Sequence, residues 1–174
     1  MNAFRFILIF ATFLFAFLSV YSFSYRKSKG AFVFSLLMLA GAFYSFGYSF
    51  EIASTTIEQI RFWLRIEYIG IPAIPTLWLI FALQFTGNKR WMSPPLIAIL
   101  AGISFSTLII HYTNDMHHWF YKEIAIDDSG SFPVTLLVKG PWYWVHIAYS
   151  NFTILIGNLL FIEMYLNTSL LYKK

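Results

Sequence analysis

Five runs of about 20 mostly apolar residues dominate this chain, each long enough to cross a bilayer: roughly Ala3 to Phe23, Ala31 to Ile52, Ile60 to Phe85, Pro94 to Tyr112 and Trp142 to Leu166. At 1.5 Å per helical residue, such a run spans the roughly 30 Å of hydrocarbon in a membrane. Hydrocarbon offers backbone amides no water, so each run must bond its own N–H and C=O groups, which an α-helix does. The sequence therefore predicts an all-α membrane protein, a bundle of about five transmembrane helices, with residues 1–174 forming a single membrane-embedded domain. The first run is kept as a helix rather than a signal peptide, because only Arg5 precedes its long apolar stretch and no small-x-small cleavage site follows.

What remains outside these runs excludes several classes of function. Only 11% of the residues are charged, against about 25% in soluble domains, too few to clothe a soluble enzyme. The chain has no cysteine, so disulfides, thiolate metal sites and cysteine nucleophiles are ruled out. A net charge of +4 could point to nucleic acid, but the cations flank apolar runs and belong to membrane topology; nucleic acid is not an expected partner.

Arg26, Lys27 and Lys29 fill the first connection, Lys89 and Arg90 the third, and Lys173 and Lys174 follow the fifth run. Asp and Glu avoid all three places. Glu51 and Glu58 flank the second connection, while Asp115, Glu123, Asp127 and Asp128 lie in the fourth with Lys122 and Lys139. The positive-inside bias then puts the basic clusters in the cytoplasm, the amino terminus outside and the carboxyl terminus inside a cell membrane. In the long fourth connection, Tyr121 to Ile126 and Phe132 to Val138 flank the turn-prone Asp127-Asp128-Ser129-Gly130, which predicts a small extracellular β-hairpin between helices 4 and 5. An isolated hairpin is marginal in water, so it is expected to rest on the helix ends.

Ionisable residues inside a bilayer are costly and face the bundle interior, which makes their positions informative. On the second helix Tyr44, Tyr48 and Glu51 share one face; on the third, Trp63, Glu67 and Gly70 form a similar stripe. The fourth ends in His111, Asn114, Asp115, His117, His118 and Trp119, and the fifth opens with Trp142, Trp144, His146, Tyr149 and Asn151. All fall in the outer half. Interfacial belts account for many of the aromatic residues, but not for Glu67 or His146. The expectation is a small-molecule pocket formed by Tyr48, Glu51, Trp63, Glu67, His111, Asn114, His117, His118, Trp142, His146 and Tyr149, with Glu67 partnered by the Arg65 neighbourhood, His117, His118, His146 or Tyr48.

Glu58, Arg61 and Arg65 read as solvated helix-end residues, Arg65 snorkelling. Neither a metal nor another cofactor is expected: adjacent His117 and His118 diverge by about 100° on a helix, and no His-x-x-x-His spacing accompanies them. Pro72 and Pro75 predict a bend in the third helix, as a hinge or as a fixed packing feature. Asn158 is expected to bond across helices, and Glu163 to pair with Lys173 or a loop cation.

The stretch Phe62-Trp63-Leu64-Arg65-Ile66-Glu67-Tyr68-Ile69-Gly70 through Pro75, then Phe81-Ala82-Leu83-Gln84-Phe85-Thr86-Gly87, Tyr112-Thr113-Asn114 with His117-His118-Trp119-Phe120-Tyr121, and Gly140-Pro141-Trp142-Tyr143-Trp144-Val145-His146 with Tyr149, resembles the seven-transmembrane amino-terminal sensor region of bacterial histidine kinases, also found in front of diguanylate cyclases. The resemblance covers nearly the whole chain and is stronger from Trp63 to Tyr149 than in the first two helices. It implies a sensory input module of a two-component signalling protein that reads a small ligand or a membrane state from outside. The implied partners are the lipid bilayer, that extracellular ligand, a second copy of the chain, and a cytoplasmic kinase or cyclase output domain. Because the chain stops after five helices, it is read as a fragment, a truncated gene product or a split module with no catalysis of its own. The alternative reading is a transporter or permease fragment, although transporter sites lie nearer the midplane. A membrane enzyme would need a nucleophile, metal cluster or phosphate loop that the sequence does not offer.

Overall fold

The computed structural model describes residues 3–88, 91–127 and 134–171. Seven helices and two strands follow in order: α1 (Ala3–Ser24), α2 (Ala31–Glu51), α3 (Ile57–Gly70), α4 (Ala73–Phe85), α5 (Pro94–Tyr112), α6 (Asn114–His117), β1 (Tyr121–Asp127), β2 (Val134–Lys139) and α7 (Pro141–Leu171). Five spans are long and apolar enough to cross a membrane: α1, α2, α3 with α4 taken together, α5, and α7. The expected hairpin is present: β1 and β2 pair antiparallel, Glu123 opposite Val138 and Ile126 opposite Thr135, with an irregularity between Tyr121 and Glu123. Asp128 to Phe132, which include most of the expected turn, and the cations Lys89, Arg90, Lys173 and Lys174 lie outside the described residues.

The third span is interrupted at the first of its prolines, between the end of α3 at Gly70 and the start of α4 at Ala73. Residues 71–72 form a turn, because Pro72 has no N–H to continue the ladder and its ring crowds the preceding carbonyls. Pro75 falls in the first turn of α4, where a missing N–H leaves no bond unmade. The Ser104 hydroxyl of α5 donates to the Pro72 carbonyl at 2.6 Å and holds the corner. At its start, α3 is capped by the Thr56 hydroxyl, which accepts from the Gln59 amide.

Small residues bring the first spans together. Ser19 and Ser35 each donate to the other's backbone carbonyl, at 2.9 and 2.8 Å, and Thr12 meets Ser45 at 3.0 Å, joining α1 to α2. Across the α2–α3 seam, a side chain at Gly70 would run into the Ala40 carbonyl, and one at Gly47 would run into Glu67. This close approach of helix backbones is typical of membrane interfaces.

Towards the end away from the hairpin, Trp78, Phe81 and Phe85 of α4 gather around Phe161 of α7 at ring separations of 5.5 to 6.0 Å. Leu79, Leu83 and Leu100 form the neighbouring core. α7 begins at Pro141 and continues to Leu171, beyond the expected Leu166. Asn158 does not bond across helices as expected: its side chain is exposed on the bundle surface, because α4 packs on the other side of α7. Glu163 is also exposed, and its expected partner Lys173 lies outside the described residues.

Candidate functional site

The stripe Trp63, Glu67, Gly70 turns inward as one face and packs on α2. Trp63 stacks on Phe50 at 4.5 Å, and the Arg5 guanidinium lies over the same Phe50 ring at 5.0 Å. Glu67 is 3% exposed, and its Oε1 has no hydrogen-bond partner. Its carboxyl faces that of Glu51, itself buried at the end of α2 and beside Thr135 of the hairpin. Tyr44 stands near both carboxyls and stacks on Tyr48 at 5.9 Å; the two rings stay half open at the bundle surface. Glu67 therefore meets Glu51, not the expected Arg65 neighbourhood, His117, His118 or His146, because the α2–α3 seam turns it away from α5 and α7. Among the described residues no ion pair involves either carboxyl.

Beside this pair lies an aromatic plug that the sequence reading did not assign. Tyr68, Phe120 and Tyr121 are buried, with Ile60 and Leu64, against Tyr143 of α7. His111 stacks flat on Tyr68 at 3.7 Å and 7°, and the Tyr68 and Tyr121 hydroxyls share a hydrogen bond of 2.9 Å. Asn114 builds the corner: its Oδ1 accepts from the Phe120 and Tyr121 amides at 2.8 and 3.0 Å, while its Nδ2 donates to the Tyr121 carbonyl. Burial, aided by neighbouring Tyr68, raises the Tyr121 phenol well above its ordinary range. His146 lies against Phe120 with its Nδ1 buried and unpartnered. The signal for this plug was present in Tyr68 and in Phe120-Tyr121, aromatic residues that pattern alone could not separate from an interfacial belt.

Other candidates go elsewhere. The Trp142 indole donates to Thr107 at 3.1 Å, tying α7 to α5. Tyr149 sits deeper, its hydroxyl bonded to Thr76 and to the Leu100 carbonyl. His117 is engaged locally by Thr113 and by the Trp119 amide, and His118 is exposed in a left-handed turn with φ 55°. Arg65 does not merely snorkel: with Arg61 it grips Asp115, at 3.3 and 2.9 Å, all three about half exposed. The eleven expected pocket residues thus do not share one site: they divide among a carboxyl pair, a plug and a deeper hydroxyl network, with His117 and His118 in none of the three. Among the described residues no three His, Asp or Glu side chains gather as a metal site.

A multi-pass helical membrane module, folded at one end into a hairpin cap over buried carboxyl and imidazole groups, is the class this architecture defines. The chain belongs to the N-terminal 7TM region of histidine kinase, whose family model matches residues 7–174. No curated protein and no solved structure matches it. Its family is that of the sensory input regions of histidine kinases, and its candidate spans make it a multi-pass protein of the lipid bilayer. Five candidate spans lie among the described residues, where the family description counts seven.

Proposed function

We propose that this module receives its signal at the hairpin end, which faces outside the cell, and that a small ligand or a change in membrane state acts there on Glu67, Glu51 and the plug around Tyr68. The supporting observation is Glu67: a carboxyl 3% exposed with one oxygen unpartnered is costly unless the site serves something besides packing. The basic connections supply the orientation. A second copy of the chain is the proposed partner along the exposed stripe of α7 that carries Asn151 and Asn158; the Asn158 amide faces outward there, while Asn151 spends one N–H on the Ile147 carbonyl.

The deciding experiment places Glu67→Gln and His146→Ala in the kinase that carries this module. Both proteins should insert normally while the signal response is lost or altered; normal insertion with a wild-type response in both would sink the proposal. The absence of native cysteine makes the orientation directly testable. Ser28→Cys and Asn88→Cys should resist an impermeant thiol reagent in intact cells, and Ser129→Cys should react.

A further inference from the structure

At the break in the third span an apolar crevice of about 440 Å³ opens between that span and α5. Ile69, Pro72 and Leu77 form one wall, and Ala101, Phe105 and Leu108 the other. Pro72 lies near the middle of the span from Ile57 to Phe85, so the crevice sits at hydrocarbon depth, away from headgroups and water. Its rim is continuous with the membrane-facing surface of the bundle, since Phe105 is 63% and Ile69 42% exposed.

The chemistry of the wall selects its occupant. Thr76, Ser104 and Tyr68 supply the hydroxyls there, and all are already engaged: Thr76 and Ser104 bond each other at 2.7 Å, Ser104 also holds the Pro72 carbonyl, and Tyr68 bonds Tyr121. A polar ligand would lose its hydration and find no free partner. A further transmembrane helix, about 10 Å across with its side chains, would lie across the rim rather than enter the crevice. A flexible hydrocarbon chain meets neither obstacle.

We infer that the crevice holds one acyl chain of a bilayer phospholipid, laid against the proline break. Tyr68 closes the crevice and is also the centre of the plug, stacked on His111 and bonded to Tyr121. The chain therefore abuts the residue that links the membrane interior to the cap. This deepens the reading of the module as a receptor for a small ligand or membrane state and relies on that reading only for its signalling consequence.

The test reconstitutes the 174-residue chain in vesicles of phosphatidylcholine bearing a diazirine at the chain end and maps the labelled peptides after illumination. Labelling should concentrate on 69–77 and 101–108, about tenfold over Ile99 and Phe152, which are more exposed than most of those two segments. Ala101→Phe, which fills the crevice, should remove that excess, and Ala73→Leu provides a second filling variant should the first fail to fold. A diazirine free fatty acid run in parallel should label these segments less than the phospholipid does. Uniform labelling of all membrane-facing residues, an excess that survives filling, or preferential labelling by the free acid would each overturn the inference. Because the readout is labelling, the outcome is independent of whether Glu67→Gln alters signalling.

Discussion

The two halves of this bundle are built on opposite terms. Away from the hairpin, α4, α5 and α7 meet through Trp78, Phe81, Phe161, Leu79, Leu83 and Leu100, a packing of rings and branched chains in which the Trp78 Nε1 is buried without a partner. At the hairpin end the interior holds Glu51, Glu67, His111 and His146, three of which carry a buried polar atom without a partner. Apolar packing of the first kind stabilises in proportion to the contacts made. Buried carboxyl and imidazole groups of the second kind cost free energy, so the hairpin half is expected to be the less stable of the two.

The comparison can be broken most severely at the seam that supports the hairpin half. Gly70→Leu drives a side chain into the Ala40 carbonyl, where rigid backbone must give way; a loss above about 3 kcal/mol, with failure to recover folded protein in detergent, is expected. Leu83→Ala probes the other half and should cost about 2–5 kcal/mol in thermal unfolding while leaving reagent access to the hairpin unchanged. Coupled changes in both readouts would show that the halves do not act separately.

Alkaline titration probes the cap where it meets α3. The Tyr121 phenol is raised in the folded protein, so its contribution to stability is intact below the ordinary tyrosine pKa of about 10 and is lost as pH rises above it, because the unfolded chain ionises first. The hairpin should become accessible to proteolysis at that alkalinity, and Tyr121→Phe should flatten the pH profile. The smallest effect is expected from Asp115→Asn. Its pairs with Arg61 and Arg65 are about half exposed, so no more than about 1 kcal/mol should be lost, and less at high salt.

What was legible in the sequence follows from what hydropathy encodes. Run length gave the five spans, and alternation around Asp127-Asp128-Ser129-Gly130 gave the hairpin, since both depend only on neighbours in the chain. Depth was legible too: Glu67 and His146 both belong to the hairpin half. Rotation about each helix axis was not, because it is set by which residues let two backbones approach. Gly47 and Gly70 turn Glu67 onto α2 and so towards Glu51, whereas Tyr149 faces Thr76 and Leu100 well away from that pair. Arg65 looked like a lone cation because its partner, Asp115, lies fifty positions along the chain.

The reciprocal serine bonds between α1 and α2 carry a consequence for how the chain enters the bilayer. α1 buries only Ser19 and Ser22 within the bundle, and the hydroxyl of Ser19 finds its partner on α2, past a connection of a few residues. During synthesis, α1 therefore has no lateral anchor until α2 has emerged from the ribosome. The pair of helices is the smallest unit in which these hydroxyls are satisfied inside the membrane, and Ser35→Ala, which removes the bond to the Ser19 carbonyl, should loosen α1 from α2 without expelling it from the bilayer.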